Sequence, residues 1–187
     1  MSMGAAVALA LIVGIAIGVV VAVLIQQGRT RQLQRRFGPE YSRVVDETGS
    51  RPVAEARLAE RQRRVEKLPL RQLDTAERVR FQEGWRDIQA HFVDDPSRAL
   101  NEADRLIGEV MNVEGYPVRE FEERAADISV EHAVVIENYR EAHSIATRNM
   151  QGRATTEDLR KAMIHYRTLF EELLGQREFA PTERTRS

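Results

Sequence analysis

The chain has 187 residues, 28 of them basic and 29 acidic, with a formal net charge of −1. Residues 1–36 hold four arginines and no acid, so residues 37–187 carry 24 basic and 29 acidic groups, a net of −5, which argues against nucleic-acid binding, since that calls for a basic face. There is no cysteine, which excludes disulfides, thiolate catalysis and cysteine-ligated zinc or iron–sulfur centres.

After a short N-terminus of residues 1–3, Gly4 to Ile25 runs 22 residues without a charged or strongly polar side chain. As a helix rising about 1.5 Å per residue the run is roughly 33 Å long, which matches the ~30 Å hydrocarbon core of a bilayer. The pattern predicts a transmembrane helix over 4–25. Ala6, Ala10, Gly14, Gly18 and Ala22 fall four apart on one strip, and Gly14 and Gly18 make a GxxxG pair. Ala10, Gly14, Gly18 and Ala22 are therefore candidates for homodimer contact within the membrane, the alternative being small residues that face lipid. A cleaved signal would show a basic start, a shorter apolar core and a small-x-small exit. Met1 to Met3 has no lysine or arginine, and Val23-Leu24-Ile25-Gln26-Gln27 offers no such exit, so the run reads as an uncleaved anchor.

Residues 26–36 form a basic juxtamembrane segment with Arg29, Arg31, Arg35 and Arg36. By the positive-inside rule they place the N-terminus outside and the C-terminal domain in the cytoplasm. They act either as a topology signal alone or also as contacts for anionic lipid headgroups.

Residues 37–73 read as a charged helical spacer. Glu40 to Glu47 predicts a short helix closed by Thr48-Gly49-Ser50, and Pro52 suits the first turn of a second one reaching about Lys67. Residues 74–175 carry stronger signals. Asp74 and Glu77 have capping-box spacing ahead of Phe81, Trp85, Ile88 and Phe92, which share one helix face. Asp95-Pro96 opens a helix whose apolar face is Leu100, Ala103, Leu106, Ile107, Val110 and Met111, and Gly115 stands where a left-handed cap is expected. Gly115-Tyr116-Pro117 turns into a short acidic helix containing Phe121. Ser129 is expected to cap a long helix carrying Val130, Val134, Val135, Tyr139, Ala142 and Ile145, which Gly152 ends. Thr155 and Asp158 cap a last helix with Leu159, Met163, Tyr166, Phe170 and Leu173 on its apolar face, before Gly175. Residues 176–187 read as a disordered tail. The expected fold is all-α: an N-terminal transmembrane helix followed by an antiparallel helical bundle.

Chemistry-bearing patterns are sparse. His132 and His143, expected on one helix, would lie about 16 Å apart along it and cannot share a metal. His143 and His165 are preceded at Glu-x-x-His spacing by Arg140 and Ala162, so the carboxylate-bridged di-metal signature is missing. No glycine-rich phosphate loop, Gly-x-Ser-x-Gly elbow or His-Glu-x-x-His motif occurs. An enzyme is disfavoured, and the residues nominate no catalytic, cofactor or metal site.

The runs Phe37-Gly38-Pro39-Glu40-Tyr41, Gly115-Tyr116-Pro117, Phe121-Glu122-Glu123-Arg124-Ala125-Ala126-Asp127-Ile128-Ser129-Val130 and Tyr139-Arg140-Glu141-Ala142-His143 resemble a family of short single-pass bacterial membrane proteins often labelled hypothetical or secreted. The resemblance implies a bacterial cell envelope and carries over no functional residue. The functional expectation is a single-pass membrane-anchored helical interaction or scaffold module with a protein partner and no catalytic activity. The rival expectation is an extracytoplasmic domain that binds a small ligand or metal, or acts as an enzyme, behind an N-terminal signal or anchor.

Overall fold

In a computed structural model of the chain the backbone is described for residues 3–175, and side chains for Gly14, Ile17, Gly18, Val20, Val21 and residues 23–175. Among the described residues the chain is all-α, with eight helices and no strand. The expected tail, 176–187, lies outside the described residues, as do the side chains of Ala6, Ala10 and Ala22. The chain divides into two compact units, 1–59 and 60–187, with the boundary inside the third helix.

The first unit begins with α1 (Met3–Phe37), an unbroken helix of 35 residues that continues through the arginine-rich segment. Its described side chains from Ile17 to Ile25 are exposed. Among the described residues no helix is long and apolar enough to cross a membrane, and most side chains of the run from Gly4 to Ala22 fall outside that description. Helix α2 (Pro39–Thr48) packs on α1 after a turn at Gly38. Helix α3 (Arg51–Val65) is tied back to both by one carboxylate: Thr30 Oγ1 and Tyr41 Oη donate to Glu55 Oε1 at 2.8 and 2.9 Å.

The second unit contains α4 (Thr75–His91), α5 (Pro96–Val113), α6 (Phe121–Ile128), α7 (Ile136–Met150) and α8 (Thr156–Leu173). Helix α5 is central. It packs on α4, α7 and α8, while α8 also packs on α7, and α7 on α6. The capping signals act as the spacing requires: Asp74 and Glu77 close a reciprocal capping box on α4, and Thr155 and Asp158 do so on α8. Asp95 caps α5, accepting from Arg98 N, with Pro96 in the first turn. The apolar faces meet as a core of Phe81, Leu100, Ile107, Met111, Tyr139, Ile145, Tyr166 and Leu169, each no more than 1 % exposed. Trp85 stacks on Phe170 with ring centroids 4.7 Å apart and planes 16° from parallel.

One expected helix is shorter than its sequence pattern. Ser129 does not begin a helix; it ends α6, with its N–H bonded to Ala125 O and its hydroxyl donating to Ala126 O at 2.7 Å. Residues 129–135 run as turns, and α7 starts only at Ile136. The adjacent β-branched Val134 and Val135 weaken helix propensity here, and the turns bury Val130 and Val135 while leaving Val134 79 % exposed. His132 consequently lies in a turn and not on a helix with His143. Two smaller departures concern Phe92 and Leu106, which are only half-buried because Phe92 falls at the cap of α4 and Leu106 at the margin of the α5 face.

Candidate functional site

A concavity of about 510 Å³ lies in the second unit, where the ends of α5 and α8 meet the segment 70–73 and the turn at 131–132. Between Glu114 and Tyr116, which line it, Gly115 with a φ of +100° turns the chain sharply after α5, and Arg71 N–H donates to Glu114 O at 2.9 Å. Six ionisable side chains and a phenol converge on the cleft: Arg71, Arg78, Glu114, Glu131, His132, Glu172 and Tyr116.

These groups are unequally engaged. Arg71 forms a two-pronged pair with Glu77 at 2.6 and 2.8 Å, so its charge is largely matched at the rim. His132 Nδ1 faces Glu172 Oε1 at 3.4 Å. Arg78 Nε donates to Leu73 O at 3.2 Å. Glu114 Oε2, in contrast, is buried with no hydrogen-bond partner. Burial pushes the Glu114 carboxyl up to about 7, against the opposing pull of Arg78 and Arg71. Burial likewise pushes the Tyr116 phenol up.

The raised Glu114 carboxyl has a direct thermodynamic consequence. Its folded value lies above the unfolded carboxylate range, so its ionisation adds no cost below about pH 4 and destabilises the fold increasingly as pH rises toward 7. Glu114→Gln should therefore leave stability nearly unchanged at about pH 4 and raise it by on the order of 1–2 kcal/mol at about pH 8, allowing for partial exposure of the side chain. Urea unfolding at the two pH values measures this difference; an equal effect at both would contradict the assignment.

A second polar cluster is internal. Tyr166 Oη donates to Asp104 Oδ1 at 3.1 Å, and Arg124 lies 3.6 Å from Asp104 Oδ2 and 5.7 Å above the Tyr139 ring. Gly108 makes room for that guanidinium, because a Cβ there would stand 3.0 Å from Arg124 Nη1. His143 stacks on Phe121 at 3.5 Å, and burial lowers its pKa. These groups tie α5, α6, α7 and α8 together across one half-buried layer.

The residues nominated from sequence lie in the first unit. Gly14 and Gly18 are exposed on α1, one turn apart, and a Cβ built on either meets nothing within 4 Å. Ala10 and Ala22 lie outside the described side chains. Arg29, Arg31 and Arg35 are exposed and Arg36 is half-buried. The polar cleft around Glu114 brings together none of them. It was not foreseen because its groups come from four separated segments with no common spacing. Among the described residues no group of three or more His, Asp or Glu side chains is arranged to hold a metal ion.

Comparison with family models, with curated proteins and with solved structures finds no match to this chain.

Proposed function

We propose that this protein is a single-pass membrane-anchored helical interaction module, with Gly4–Ile25 as the span and the second unit as the part presented to a protein partner in the cytoplasm. The observation that carries the reading is the continuity of α1. One helix runs from the apolar stretch directly through Arg29, Arg31, Arg35 and Arg36 to Phe37, without a break or cap between them. A hydrocarbon-length segment followed at once by a cationic collar is what an anchor with a cytoplasmic C-terminal side requires. Gly14 and Gly18 offer a face on which two such helices pack closely.

Alkaline extraction of the membrane fraction tests the anchor. The full-length chain should stay with the membranes at its full mass. Gly14→Arg with Val19→Arg should release it, since each charge at mid-span costs about 2.5–3.5 kcal/mol on insertion scales. Extraction of the unaltered chain, or recovery of a shortened chain lacking the apolar run, would reject the anchor.

A second reading rests on the cleft around Glu114, whose volume and unpartnered buried carboxyl oxygen suit a small polar ligand. A saturable rise in melting temperature with a metabolite, lost in Glu114→Gln, would favour it.

A further inference from the structure

We infer that a cleft on the first unit, between α1 and the start of α3, holds the phosphate of an anionic phospholipid headgroup. The inference rests on the anchor reading of Gly4–Ile25 and gives that anchor a specific lipid contact. The cleft has a volume of about 370 Å³, and Val23, Gln27, Thr30, Arg31, Gln34 and Arg51 line it. Positions 23, 27, 30, 31 and 34 fall on one stripe of α1, so the cleft follows that helix from the last apolar turn into the polar collar.

The depth agrees with a headgroup. Arg31 lies six residues past Ile25, roughly 9 Å further along the helix, and the polar layer outside the hydrocarbon core is about 5–8 Å thick on each side. Helical side chains lean toward the N-terminus of their helix, which here is toward the bilayer. Val23 then meets the first part of an acyl chain, and Arg31 meets the phosphate.

The charge also agrees. Arg31 comes from α1 and Arg51 is the first residue of α3, so two guanidiniums reach one cavity from separate elements. Both are exposed, and neither makes an ion pair among the described residues. The nearby carboxylate, Glu55, already accepts from Thr30 and Tyr41, and Asp46 borders an adjoining cleft shared with Arg51 and Gln34. Gln27 and Gln34 add amide donors for phosphate oxygens, and guanidinium groups are the side chains best shaped to bind phosphate in two-pronged fashion.

The test uses the full-length chain reconstituted in nanodiscs of phosphatidylcholine with a minor fraction of phosphatidylglycerol, with retained lipids counted by native mass spectrometry. Preferential retention of phosphatidylglycerol is expected, falling roughly tenfold or more in Arg31→Gln/Arg51→Gln. Arg29→Gln/Arg35→Gln, which removes the same charge outside the cleft, should retain most of the preference. Retention of the two lipids in proportion to their share of the nanodisc, or an equal fall in both double variants, would overturn the inference. So would saturable binding of inorganic phosphate to the lipid-free chain in detergent that matches phosphatidylglycerol, because the ligand would then be free phosphate. Flotation of the same chain with pure phosphatidylcholine vesicles separates the two ideas: a chain that fails to float defeats the anchor, and one that floats without lipid preference defeats only the headgroup site. Helical content measured by circular dichroism confirms that each variant is folded.

Discussion

Trp85→Ala should destabilise the second unit by about 4 kcal/mol, the largest single loss expected in the chain. The indole is 5 % exposed and stacks on Phe170, so its removal opens a cavity between α4 and α8 and deprives one ring of its partner. Trp85→Phe sharpens the expectation. Trp85 Nε1 is buried without a hydrogen-bond partner, so phenylalanine keeps much of the stacking and removes an unsatisfied donor. Its cost should fall below about 1.5 kcal/mol. Chemical denaturation of the two variants checks both values, and similar losses in the two would show that the stack contributes little.

Gly115→Ala is the second large effect, with an expected loss of about 3 kcal/mol. The φ of +100° is a conformation that an L side chain adopts only with strain. The added Cβ would also stand 2.6 Å from Pro69 O and 3.1 Å from its carbonyl carbon. Those are backbone atoms, so no side-chain rotation relieves the contact. The segment 69–71 must move, breaking the bond from Arg71 N–H to Glu114 O at the cleft. Gly84→Ala is the control: a Cβ there meets Leu106 at an ordinary 3.5 Å within a normal helical turn, and alanine's higher helix propensity should make it neutral or slightly stabilising. Equal stability of the Gly115 and Gly84 variants would contradict the strained-turn account.

The all-helical fold was legible because its signals are local. The capping boxes at Asp74 and Thr155 each span four residues, and the apolar faces of α5 and α8 repeat at helical spacing, so neither needs knowledge of a neighbour. Ser129 misled for a matching reason. A serine hydroxyl closes the end of one helix as readily as it opens the next, and only the chain's turn toward the core decides between them. Burial of Glu114 was illegible because it follows from Pro69 and Leu70 packing against Gly115, a contact that spans more than forty residues of sequence. Arg51 escaped notice as a partner of Arg31 for a similar reason: twenty residues separate them, and the turns at Gly38 and Gly49 bring them to one cleft. The apolar run and its arginine collar, by contrast, speak from composition and order alone, and the interaction-module proposal depends on them.

Topology is the most direct test of that proposal, and the lack of cysteine makes it clean. Ser187→Cys supplies a single thiol in the full-length chain, to be labelled with a membrane-impermeant maleimide in intact and in lysed bacterial cells. Labelling only after lysis is the predicted result, as expected for a cytoplasmic module behind an outward N-terminus. Labelling in intact cells whose inner membrane is shown to be sealed would contradict it and place the helical unit outside the cytoplasm.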